Sequence, residues 1–145
     1  KQQDNTFESY RRLNPILSGM DPDRYVAEPF VTPGNIDGPD SPNYGMGGWT
    51  WYTGSASWFQ KMIVDQILGI RASKEGLIID PCIPKDWNSF SVKRKFRGTH
   101  YFITVDNSYH TGKGVRKVIV NGDEMNSKIL NVGGKDLVEV KVILG

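Results

Sequence analysis

Residues 47–60, GGWTWYTGSASWFQ, set Trp49, Trp51 and Tyr52 directly ahead of a helix start at Thr53, Gly54 and Ser55. Taken alone, Thr53 or Ser55 reads as an N-cap whose hydroxyl accepts from the first helical N–H groups, and Trp51 and Trp58 read as core. Glu28, Asp37 and Asp40 are the carboxylates that an acid–base pair would need. Acids in loops are more often solvated or turn-forming, and Asp37-Gly38 and Asp40-Ser41-Pro42 have turn composition. Cys82, His100 and His110 lack the spacing of zinc ligands, so neither a metal nor a cofactor is expected. In KRKFRG, strand alternation sends Lys93 and Lys95 to one face and Arg94 to the other. With Arg97 they read as a solvated edge, not a nucleic-acid patch.

The elements that must position these residues change character near residue 72. NTFESYRRLNP has a polar start at Asn5 or Thr6, apolar Phe7, Tyr10 and Leu13 at helical spacing, and a stop at Pro15. From Ile16 to Gly48, Pro22, Pro29, Pro33, Pro39 and Pro42 exclude a regular element, and loops this long are often functional. Trp58, Phe59, Met62, Ile63, Ile67 and Leu68 then give a second helix a wide apolar face, ended by Gly69. So broad a face needs partners that the first helix cannot supply alone. Together with a start at Lys1 inside a helical pattern, this leads us to expect a piece of a longer protein.

Beyond Lys74 the period becomes two. GLIIDP, FSVKRKF, THYFITVDN, RKVIVNGDE and DLVEVKVILG read as strands, with Arg97-Gly98 and Asn121-Gly122 as tight turns. The expected class is α + β: helices over 1–72, then a small antiparallel β-sandwich or jelly roll over 73–145, with no long helix after Lys74. Cys82 beside proline reads as a small buried hydrophobe, and a lone cysteine favours a reducing compartment. The net charge of +2 over 145 residues makes no case for nucleic acid, and no apolar run is long enough for a membrane span.

EPFVTPGNIDGPDSPNYG, GGWTWYTGSASW, ILGIRASKEGLIIDPCIPKDW and FSVKRKFRGTHYFITVDN resemble, in that order, the C-terminal end of glycoside phosphorylases of the cellobiose and chitobiose phosphorylase type. Cyclic β-1,2-glucan synthases share this module. The resemblance implies that residues 1–72 are the last helices of an (α/α)6 catalytic barrel and residues 73–145 its C-terminal jelly roll.

It also implies chemistry. Thr53 and Gly54 match a pair that contacts inorganic phosphate, the co-substrate; a helix N-terminus offers N–H donors and partial positive charge, and glycine admits an anion to the backbone. Trp51 would wall a sugar pocket. Gly34 falls where some relatives carry a glutamine touching the donor sugar, a departure that leaves cellobiose, cellobionate, laminaribiose and β-1,2-glucan all open as substrates. The implied reaction is phosphorolysis of a β-linked glucose disaccharide or oligosaccharide with inversion, by a cytoplasmic homodimer. The general acid is expected to be an aspartate upstream, so the chain alone is expected to be inactive. Two other classes stay open: a carbohydrate-binding β module with a helical linker, and a structural fragment that binds neither sugar nor phosphate.

Overall fold

The computed structural model describes residues 2–132, 134 and 136–145; the side chains of Gln2, Gln3 and Thr53 lie outside the described residues. Two compact units emerge, Asn5–Met62 and Ile63–Gly145, the latter joined by the chain start up to Asp4. The fold class is α + β.

In the first unit, α1 (Gln2–Leu13) begins earlier than the Asn5 start that the sequence suggests. Leu13 ends it, but Pro15 is a restart as much as a stop. Asn14 Oδ1 accepts from the Ile16 N–H at 2.9 Å, and Pro15 opens the short α2 (Pro15–Ser18), where its missing N–H is no loss. The proline-rich stretch likewise contains short regular pieces: α3 (Pro22–Tyr25), and an antiparallel pair of β1 (Asn35–Ile36) with β2 (Gly47–Gly48). Each is too brief for periodicity to reveal. Tyr25, fully buried, anchors this region and donates its hydroxyl to the Val31 carbonyl at 3.3 Å. The apolar spacing on α1 brings Tyr10 against Phe59 of α4 (Thr53–Lys61), rings 5.2 Å apart and nearly parallel.

The second helix departs from expectation in three ways. Thr53 is its first residue and not its cap, because the Tyr52 carbonyl already accepts the Ala56 N–H at 3.2 Å. Ser55 is therefore inside the first turn as well. The α-helical part stops at Lys61 and continues as a π-helix over Met62–Ile67, with Leu68 N–H bonded to Ile63 O at 2.9 Å. Trp58, assigned above to a buried face, is 71% exposed.

Gly69 ends the π-helix with φ +69°, and its carbonyl accepts the Asp80 N–H at 2.8 Å. A Cβ there would stand 2.1 Å from the Asp80 carbonyl oxygen, so only glycine fits. Beyond it the second unit is all strand. β3 (Ile70–Ala72), β4 (Leu77–Ile79) and β9 (Ile129–Leu130) form one sheet. The other holds β5 (Ser89–Phe96), β6 (Thr99–Asp106), β10 (Leu137–Leu144), β7 (Val115–Val120) and β8 (Asp123–Met125), in that spatial order. As expected, no helix follows Lys74 among the described residues.

Both tight turns occur where expected, with positive φ at Arg97, Gly98, Asn121 and Gly122; that is the backbone of the hairpin turn whose twist matches its strands. The sheet is nevertheless not purely antiparallel. β10 slots between β6 and β7 and runs parallel to β6, pairing Val140 with Ile103. Hairpin chemistry fixes only the strands that a tight turn joins, and β10 has none. Alternation then buries Tyr101, Ile103 and Val105 of β6 with Val138, Val140, Val142 and Leu144 of β10, and Ile70, Leu77, Ile79 and Leu130 of the smaller sheet are buried as well. Cys82 is only partly buried; burial pushes its thiol pKa up.

One buried polar side chain ties the loops of this unit. Asn107, fully buried, donates to the Trp87 carbonyl at 2.7 Å and accepts the Gly112 N–H at 2.9 Å. Removing it leaves the buried Gly112 N–H without its acceptor, at about 1–3 kcal/mol, and takes one donor from the part-buried Trp87 carbonyl. Asn107→Ala is expected to lower stability by about 2 kcal/mol or more in urea unfolding; an unchanged midpoint would contradict this role.

Candidate functional site

Two segments of the first unit, residues 28–34 and 47–56, build the candidate site. They are fastened at both ends. At one end the Gly34 N–H is shared between the carbonyls of Gly48 (3.0 Å) and Trp49 (2.9 Å), next to the Asn35–Gly48 register of β1 and β2. A Cβ on Gly34 would stand 3.3 Å from Trp49 Cβ, tighter than ordinary contact, so the absence of a side chain lets the segments close. At the other end Glu28 Oε1 accepts from Trp51 Nε1 at 3.0 Å and from Thr50 Oγ1 at 3.3 Å. A hydrogen bond from its own backbone N–H holds the Glu28 carboxyl below the usual glutamate range, against an opposing desolvation push and with help from Thr50 and Trp51.

Between the fastenings the backbone is strained. Phe30, Trp49 and Trp51 have φ of 65°, 52° and 62°, the left-handed region that costs a non-glycine residue about 1–3 kcal/mol. These side chains are not driven there by burial: Phe30 is 76%, Trp49 80% and Trp51 71% exposed. Phe30, Val31, Thr32, Trp51, Tyr52 and Ala56 line a cavity of about 200 Å³. That is smaller than the ~300–1,000 Å³ of sites that take a whole drug-sized ligand, and suits a single ring.

The chain then enters α4. Tyr52, its cap residue, makes no side-chain hydrogen bond to the helix, so the first-turn amides receive no bond from the residue that ordinarily caps them. At Gly54 an added Cβ would meet only Tyr52 Cε1, at 3.8 Å, so the approach to this backbone is open from within the chain. An uncapped start of this kind attracts an anion.

The expected residues thus come together in part. Trp51 lines the cavity, whereas Gly34 and Gly54 lie outside its lining, Gly34 beside Trp49 and Tyr52 and Gly54 in the first turn of α4; Thr53 opens the helix with its side chain outside the described residues. Asp37 does not join them: it bonds Ser41 Oγ at 2.8 Å and Asn35 Nδ2 at 3.3 Å, and is turn-forming as its sequence suggests. Asp40 lies in the same turn. Glu28 is the residue whose part is visible only in the fold, since its partners are 22 and 23 positions away. His110 Nδ1 lies 2.8 Å from the Lys85 carbonyl, and among the described residues no group of three His, Cys, Asp or Glu could hold a metal. No helix among them is long and apolar enough to cross a membrane.

Comparison with known proteins agrees with this architecture. Residues 2–69 match the catalytic domain of the glycosyl hydrolase 94 superfamily, and residues 70–125 match the C-terminal domain of glycosyl hydrolase family 65. The chain is 34% identical over 142 residues to an N,N'-diacetylchitobiose phosphorylase of Vibrio proteolyticus, covering 98% of this chain and 18% of that protein. It is 43% identical over 118 residues to a 3-O-beta-D-glucopyranosyl-beta-D-glucuronide phosphorylase of Paenibacillus borealis, covering 81% and 15%. Against a cyclic beta-(1,2)-glucan synthase of Rhizobium meliloti it is 36% identical over 121 residues, covering 81% and 4%. Residues 2–69 are thus matched to the glycosyl hydrolase 94 superfamily, and the relatives that resemble the chain more widely include glycoside phosphorylases. It spans less than a fifth of the length of these relatives.

The lowered Glu28 pKa sets the pH response of the site. With the folded value depressed, the contact to Trp51 is at full strength above the ordinary glutamate range and is lost only as pH falls through the lower, folded value. The fluorescence that Trp51→Phe removes is expected to titrate with a midpoint below that of ordinary glutamate. A midpoint at or above that range would contradict the bonding described.

Proposed function

We propose that this chain is the C-terminal part of an inverting glycoside phosphorylase, contributing the phosphate subsite and one wall of the sugar subsite. The observation that carries this reading is the start of α4: a cap residue, Tyr52, that gives the first-turn amides no side-chain bond, preceded by exposed aromatics on a strained backbone. Phosphate is held by the Thr53 hydroxyl and the Gly54 amide, and Trp51 walls the pocket for a β-linked glucose unit, with Gly34 joining the segments that carry it. One phosphate oxygen attacks the anomeric carbon on the face opposite the glycosidic oxygen. As that C–O bond breaks, a carboxylic acid elsewhere in the protein protonates the departing oxygen, giving an α-sugar 1-phosphate and a free sugar. Phosphate is the nucleophile, so the enzyme supplies position and charge compensation, not a base.

Glu28 does not fit the general acid: its carboxyl is biased toward ionisation and already accepts two hydrogen bonds. No other carboxylate of the site takes that role, and the isolated chain is expected to be inactive. The helices of the first unit are the closing helices of an (α/α)6 barrel, which would cover Trp58, and the strand unit is its jelly roll. The complete enzyme is taken to be a cytoplasmic homodimer, the lone Cys82 suiting a reducing compartment.

Two substitutions in the full-length enzyme test the phosphate subsite. Thr53→Val removes one hydrogen bond to a charged group, worth about 1.5–3 kcal/mol, and is expected to raise the phosphate KM about tenfold to a hundredfold with the sugar KM far less affected. Gly54→Ala separates binding from folding. Within the chain the methyl has room, and alanine favours the helix by about 1 kcal/mol, so melting is expected to hold or rise while phosphate affinity falls. Unchanged phosphate dependence in both variants would leave α4 a core helix with no ligand.

A further inference from the structure

We propose that Glu28 is the positioning residue of the sugar pocket: its carboxylate fixes the Trp51 indole, and through it the affinity for the sugar but not for phosphate. This rests on the reading that Trp51 walls the sugar site.

The cavity has two walls that are distant in sequence, Phe30–Thr32 and Trp51–Ala56. On the Gly34 side they are joined backbone to backbone. On the other side the fastening is Glu28, two residues before Phe30, reaching the side chains of Thr50 and Trp51. Trp51 has little else to set its ring. It is 71% exposed, so packing does not immobilise it, and its left-handed backbone turns the side chain out of the regular path. An indole N–H has a single donor direction; given to a carboxylate oxygen at 3.0 Å, it fixes the ring plane. A sugar that stacks on that ring then meets a preorganised surface and loses less entropy on binding.

The geometry ranks the substitutions. Glutamine keeps a carbonyl oxygen at the same reach and can accept from both donors without the charge. Aspartate is one methylene too short, and alanine offers nothing.

The test uses the full-length enzyme with phosphate and a panel of β-linked glucose and N-acetylglucosamine disaccharides, taking the one turned over fastest. Glu28→Ala is expected to raise the disaccharide KM about tenfold, the worth of one charge-assisted hydrogen bond. The phosphate KM and melting temperature should stay near wild type. Glu28→Gln should recover most of the loss and Glu28→Asp little. Trp51→Phe keeps an aromatic ring without the N–H; adding Glu28→Ala to it should raise the disaccharide KM less than twofold further, because the two act through one bond. A full Glu28→Ala effect persisting in Trp51→Phe would overturn the proposal, as would an unchanged disaccharide KM or an equal loss for both substrates with lowered melting. Trp51→Ala separates the two readings. If it raises the disaccharide KM and Glu28→Ala does not, only the positioning role falls; if it does not, or if no disaccharide is turned over, the sugar pocket falls as well.

Discussion

The candidate site turns on one feature: α4 starts behind a cap residue whose side chain makes no bond to the helix. A helix start ordinarily satisfies its amides with the preceding serine, threonine, aspartate or asparagine. Here the preceding residue is Tyr52, which contributes no such bond, and the hydroxyl residue expected to do so stands one position inside the helix. The first-turn donors therefore receive nothing from their cap residue. Just before this start the backbone is left-handed at both Trp49 and Trp51, a strained conformation for residues of this type. That strain persists because the segment is held from both sides, by Gly34 through its backbone and by Glu28 through its side chain.

The strand unit answers a different requirement. Its core is made by alternation on β6 and β10 together with the buried residues of the smaller sheet, and its loops are drawn in by Asn107. Gly69 makes the change from helix to strand, where the chain passes too close to Asp80 for any side chain. The unit is stable by the ordinary means of a β domain.

Legibility in the sequence followed the range of the interaction. The hairpins at Arg97-Gly98 and Asn121-Gly122 were readable because turn type and alternation are local. The parallel pairing of β10 with β6 was not, since nothing near residues 137–144 specifies a neighbour more than thirty positions away. The same holds at the site. Thr53 and Gly54 stood out as a helix start beside aromatics, yet a one-residue shift separates a cap from a first helical residue, and only the backbone decides it. Glu28 looked like any loop acid because its donors are far along the chain. The left-handed tryptophans carried no signal, since residue type gives no hint of positive φ except at glycine, asparagine or aspartate. The π-helix after Lys61 was hidden because apolar spacing does not distinguish it from a continued α-helix.

The central claim is that the open start of α4 is an anion site. A crystal structure of the full-length enzyme soaked in inorganic phosphate tests it directly. The account expects phosphate within hydrogen-bonding distance of the Gly54 amide and the Thr53 hydroxyl, with the Trp51 indole still on Glu28. Phosphate bound elsewhere, with the first turn of α4 closed by a side chain or packed against another helix, would contradict it.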